Sequence, residues 1–190
     1  MKPTQDRAFK EWAVSCDALA EGRQTLLIRK GGIREDGGVF RIDDMEFWLM
    51  PTFEHQNTAL LQSERLPALQ AIQAAPRRQG EVSLHTYAVV DTIAVARDDA
   101  QVNALEHEHI WNATYVKMRF DFNPYDPLYL VLLRVYRLPE PQTVPMLAEY
   151  AGCKSWVTLA RSLSTADLKP VLPDTEFAIR RASLLSLLRS

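Results

Sequence analysis

The 190 residues suit one domain, for which folded-surface scaling buries roughly 70% of the surface that the extended chain exposes. With 47% hydrophobic and 24% charged residues and only 7 glycines, the composition excludes collagen-like, fibrous and largely disordered chains. Lys and Arg number 22 against 24 Asp and Glu, a net charge of −2, so no bulk cationic excess announces nucleic acid and any electrostatic site is a local patch.

From Asp6 to Ala20, Phe9, Trp12, Ala13, Cys16, Leu19 and Ala20 recur at three and four residues, which predicts an amphipathic helix stopped by Gly22. Thr25 to Ile28 reads as a buried strand running into the turn Arg29-Lys30-Gly31-Gly32. Phe40, Ile42, Met45, Phe47 and Leu49 then suggest its hairpin partner, with a bulge near Asp43-Asp44 and an end at Pro51. Leu60 to Ile72 has helical spacing interrupted at Pro67, giving one or two helices. Val82 to Val95 is rich in strand formers, and Asp98-Asp99 offers the cap of a helix reaching about Trp111. Leu128 to Leu138 reads as a central strand between the turn at 123–127 and the turns at Pro139, Pro141 and Pro145. Val157 to Leu163 is a short strand or helical turn, and Asp174 to Leu188 a closing helix after Pro173. Together these predict a single α+β domain over residues 1–190, a small mixed or antiparallel barrel with inserted and terminal helices.

Chemistry concentrates in two stretches. Arg29-Lys30-Gly31-Gly32-Ile33-Arg34-Glu35 places two glycines, which let backbone approach a ligand, among three cations suited to phosphate. It lacks the spacing of a P-loop or of a dinucleotide fingerprint. Trp48 to Gln56 ends a strand with aromatic, hydroxyl, imidazole and amide groups. Phe53 or Trp48 suits stacking on a base, and His55 and Gln56 suit its Watson–Crick edge. The bland alternatives are solvated turn cations in the first stretch and core aromatics in the second.

Glu106-His107-Glu108-His109 invites a metal, but on a helix the two imidazoles stand ~200° apart, so a solvated helix face is the stronger reading. Cys16 reads as packing, and Cys153 beside Lys154 does not suggest a thiol enzyme. Asp43, Asp44 and Glu46 are candidate magnesium ligands without the lysine of a restriction-type site, and Asp121 and Asp126 are no better. No catalytic residue, metal or cofactor is assigned. The polar start from Met1 to Lys10 and the absence of a ~20-residue apolar run predict a cytoplasmic protein with no membrane partner.

The stretches Lys10-Glu11-Trp12-Ala13-Val14, Leu27 to Glu35 and Pro51-Thr52-Phe53-Glu54-His55-Gln56, in this order, resemble the bacterial family catalogued as domain of unknown function 1802. That family is reported fused to Mrr-type restriction endonuclease domains, so the resemblance implies a role in restriction or DNA defence, here as a stand-alone module. Gly22 to Arg29 is similar to the Gly-x-Lys-x-x-Glu-x-Arg motif of the ASCH branch of PUA-like barrels, which bind RNA or modified bases, with Gln24 in place of the lysine and Leu27 in place of the glutamate. The order from Ala88 through Asp98-Asp99 to Leu128–Leu138 and its prolines resembles the EVE branch.

These resemblances imply a PUA-like barrel that holds one flipped base. Arg29, Lys30, Gly31, Gly32, Arg34 and Arg41 would hold phosphates, and Trp48, Thr52, Phe53, His55 and Gln56 would line the base pocket. The expected function is a nucleic-acid-binding module, DNA more than RNA, reading a modified base beside a restriction endonuclease or other defence protein. Competing expectations are a nuclease or base hydrolase using Glu11, Glu35 or Glu54, and a structural subunit that binds protein through surface aromatics.

Overall fold

A computed structural model describes residues 1–30, 45–152 and 154–189. Its strands are β1 (Thr4–Trp12), β2 (Leu26–Arg29), β3 (Glu46–Thr52), β4 (Glu81–Ala96), β5 (Leu128–Pro145), β6 (Trp156–Ser164) and β7 (Lys169–Pro170). The helices are α1 (Ala13–Ala20), α2 (Leu66–Ala74), α3 (Asp99–Asn103), α4 (Ala113–Asp121) and α5 (Asp174–Arg189). The strands form one mixed sheet in the order β2-β5-β4-β3-β1-β6, with β7 also on β5. Among the described strands, only β1 and β3 run parallel. The α+β class and mixed sheet of the sequence reading are observed.

Alternate residues of the central strands bury on opposite faces, as a period of two requires. Ala8, Trp48, Met50, Leu84 and Tyr87 join one apolar cluster, while Phe9, Phe47, Leu49, Ala88 and Val90 join another. β1 is therefore covered on both faces, its apolar residues show no alternation, and the expected helix from Asp6 is strand up to Trp12 and helix only from Ala13. The helix stop is as expected: Gly22 has φ +71, Leu172 Cδ2 lies 2.5 Å from where a Cβ would stand, and Arg23 N–H returns to Ala18 O at 2.9 Å.

The hairpin expectation is corrected. β2 pairs with β5, whereas β3 lies between β1 and β4, and Pro51 sits inside β3 opposite Glu11. The bulge expected near Asp43-Asp44 lies outside the described residues. β5 likewise runs on to Pro145 through prolines that read as turns. Opposite Leu84 to Thr86, β5 carries the longer path from Arg137 to Gln142, a bulge in which Pro139 and Pro141 have no ladder hydrogen bond to lose.

That bulge turns the end of β5 toward β6. Gln142 donates to Ser164 O at 2.8 Å and accepts from Ser164 N at 3.3 Å, and Arg161 donates to Thr143 O at 3.0 Å. The sheet thus curls around Trp48, Tyr87 and Tyr150 and is bridged by side chains, but its backbone ladder is not closed among the described residues. β6 is a strand, and α5 occupies the expected closing helix. Asp98 caps α3 through Gln101 N at 2.8 Å, but α3 ends at Asn103 instead of reaching Trp111. α4 is an additional helix, capped by Asn112 through Tyr115 N at 3.1 Å. No described helix is long and apolar enough to cross a membrane.

Candidate functional site

Parallel pairing aligns the ends of β1 and β3, with Trp12 opposite Thr52, and so brings Lys10, Glu11 and Trp12 beside Thr52, Glu54 and His55. The end of β2 supplies Arg29, α4 supplies Tyr115, Met118 and Arg119, and the approach to β6 supplies Lys154 and Ser155. Together they line a cleft of about 330 Å³. Its aromatic wall is continuous: Trp12 meets Trp111 edge-on at 5.0 Å, and Trp111 stacks on Tyr115 at 4.0 Å and 12°.

Arg29 is fixed before any ligand arrives. Its guanidinium reaches Glu11 Oε2 at 3.4 Å, donates to Ser155 Oγ at 2.8 Å and lies 4.7 Å over the Phe9 ring, leaving a buried Nε without a partner. Glu11 is held in turn, its other oxygen accepting Trp12 N–H at 2.8 Å and its backbone carbonyl accepting the Thr52 hydroxyl at 3.1 Å. Arg119 donates to Lys30 O at 3.5 Å and also keeps a buried, unpartnered Nε. Burial pushes the Tyr115 hydroxyl up to about 12, with Arg119 opposing and Glu11 reinforcing the shift, so the phenol stays protonated at neutral pH.

Of the residues anticipated from sequence, Arg29, Thr52 and His55 share this cleft. His55 is a non-glycine residue with φ 60, and the reversal there delivers Gln56 to α1, whose Val14 N–H donates to Gln56 Oε1 at 3.2 Å. Gln56 thus supports the helix start instead of lining the cleft. Lys30 is buried, and its ammonium donates to Phe120 O at 2.6 Å, satisfying a carbonyl in the last turn of α4 instead of meeting solvent.

Trp48, expected to stack on a ligand, is 0% exposed inside the curled sheet, where its indole donates to Gln5 O at 3.0 Å. Phe53 faces a neighbouring hollow of about 610 Å³, with the Arg77 guanidinium 4.2 Å over its ring. Gly31, Gly32, Arg34 and Arg41 lie outside the described residues, as do Glu35 and Cys153.

From the sequence, Trp12 falls on a helix stripe and Trp111 at a helix end, and nothing in the local pattern marks Tyr115 or Arg119. The available signal was Glu11-Trp12, already within a stretch that carries the family resemblance. At the Glu106–His109 segment the expected solvated face is seen at Glu106 and His107, which are exposed opposite buried Leu105 and Trp111, while the expected helix and the exposure of His109 are corrected. That segment is a 3₁₀ turn, and His109 is buried, with Nε2 3.2 Å from Val102 O and Nδ1 accepting Trp111 N–H at 3.2 Å. No cluster of three metal-ligating side chains occurs among the described residues. The Thr52 hydroxyl is spent on a backbone carbonyl, so it has no general base as partner there.

A model of the family described as domain of unknown function (DUF1802) matches residues 8–183. No curated protein matches the sequence. Among solved structures, ASCH from Zymomonas mobilis is similar at 14% identity over 94% of each chain, with a TM-score of 0.42. Two mutant structures of that protein are similar at 14% and 13% identity. One covers 97% of this chain and 99% of its own at a TM-score of 0.41, the other 94% and 96% at 0.43.

Proposed function

Starting from the fact that this chain belongs to the DUF1802 family, we propose that it is a nucleic-acid-binding module whose cleft receives one unstacked base, read for modification within a bacterial restriction or DNA-defence system. The observation that carries the reading is the juxtaposition of the Trp12–Trp111–Tyr115 wall with Arg29, Arg119 and Lys154 around one hollow. An aromatic face stacks on any base for ~1–3 kcal/mol, and guanidinium edges supply the discriminating hydrogen bonds.

The ion pair to Glu11 divides the labour among the cations. Arg29, already neutralised, is suited to donating toward a base edge, whereas Arg119 and Lys154 are suited to phosphate. DNA is the favoured nucleic acid, and a restriction endonuclease or another defence protein is the favoured protein partner. The reading requires no cofactor.

Labelled duplexes and single strands, with and without a modified cytosine, provide the test. Affinity should depend on the modification and fall at least tenfold in Arg119→Ala and Arg29→Ala. Equal, negligible binding of every strand would overturn the reading, and magnesium-dependent cleavage abolished by Glu11→Gln would replace it with an enzyme.

A further inference from the structure

The cleft and the Phe53 hollow have three lining residues in common, Lys10, Thr52 and Glu54, so the end of β3 is a saddle between two contiguous concavities. Each has the volume of an ordinary ligand pocket, ~300–1,000 Å³. Their described linings hold six cations, Lys10, Arg29, Arg77, Arg78, Arg119 and Lys154, against the carboxylates Glu11, Glu54 and Glu81. In a chain of net charge −2, this is a local reversal of sign, and it favours an extended anion.

Resting on the reading of the cleft given above, we propose that the second hollow is the subsite for the neighbouring nucleotide, so that the occupant is a single-stranded polynucleotide laid across the end of β3. Lys10 sits at the crossing. Two of its three ammonium protons are committed to Tyr150 O at 2.6 Å and Gly152 O at 2.8 Å, which fixes the charge and leaves one donor for the backbone passing over it. Beyond the saddle, Phe53 is 37% exposed and carries Arg77 on its ring, an aromatic and cationic pair of the kind that holds a base and its phosphate. Arg78 is 86% exposed and only loosely paired to Glu81 at 3.8 Å, so it is available to a second phosphate. Two separate hollows suit unstacked bases on one strand; a duplex keeps its bases stacked and would not enter both.

The test is a length series of single DNA strands of one, two, four and eight residues, each a single modified cytosine extended by thymidylates, with the corresponding RNA series in parallel. Binding is measured with the wild type and with an Arg77→Ala, Arg78→Ala double variant. The expected wild-type affinity rises at least tenfold between one and four residues. In the variant that gain disappears, mononucleotide binding and thermal midpoint stay unchanged, and the salt slope falls by about 0.7 for each phosphate that the protein no longer neutralises.

Retention of the full length-dependent gain in the variant would overturn the second subsite while leaving the base cleft intact. A duplex bound as tightly as the single strand would overturn the single-strand assignment. Failure of the wild type to bind any length would overturn the reading of the cleft itself, and this inference with it.

Discussion

The curled-sheet interior around Trp48 and the strand-end cleft around Trp12 are built from the same residue types and differ in what is left unspent. Inside, the Trp48 indole is bonded to Gln5 O and meets Tyr87 edge-on at 5.0 Å, and the Tyr87 hydroxyl donates to Glu46 at 3.0 Å. At the strand ends, Trp12 and Tyr115 are half-buried around an open hollow, and Arg29 and Arg119 each retain an unpartnered Nε. One region is finished as a core, whereas the other turns half-buried rings and guanidinium side chains toward an open cleft where a ligand can meet them.

The sharpest way to break this comparison is to truncate each tryptophan. Trp48→Ala should cost about 3–5 kcal/mol in urea unfolding, the range for emptying a large core site, and Trp12→Ala visibly less. Equal losses would make the cleft simply more core. Next in size, Glu11→Gln strands the Arg29 cation and should cost about 2–4 kcal/mol, part of it recovered when Arg29→Gln is added. An additive double-mutant cycle would show that the pair does not organise the cleft.

Titration separates the regions more gently. The Tyr115 proton is held to about pH 12 when folded, while the unfolded chain releases it near 10. The folded state therefore binds more protons in that window, and its stability should fall by about 2 kcal/mol between pH 10 and 12. Tyr115→Phe should flatten that slope. His109 gives the opposite sign. Burial lowers its pKa, so its contribution is present above the unfolded value of 6.5 and is lost as pH falls through the folded value. His109→Gln should flatten the acid limb seen in urea midpoints measured from pH 7 to 5. The smallest effect on stability belongs to Arg119→Ala, which should stay within about 0.5 kcal/mol of the wild type while nucleic-acid binding weakens about tenfold.

The sequence was most legible where one local rule decided the structure. Gly22 ended α1, Asp98 capped α3, the branched run from Val82 made β4, and the spacing after Pro173 made α5. It was least legible where pairing over long distances decided. β1 is buried on both faces and so loses its alternation, and the prolines of β5 look like turns until the bulge opposite Leu84 absorbs them.

The candidate site divides in the same way. Arg29, Thr52 and His55 stand at strand ends, where local punctuation is visible, and they meet in the cleft. Which tryptophan becomes core and which becomes wall depends on the β1–β3 register, in which Ala8 faces Trp48 and Trp12 faces Thr52. No local pattern encodes that register.

The most direct test follows the indole N–H signals of the 4 tryptophans by ¹⁵N-resolved NMR during saturation with a single strand containing a modified cytosine. Trp12 and Trp111 should shift with the ligand while Trp48 stays in place. Saturation that moves Trp48, or leaves Trp12 and Trp111 unmoved, would contradict the reading of the cleft.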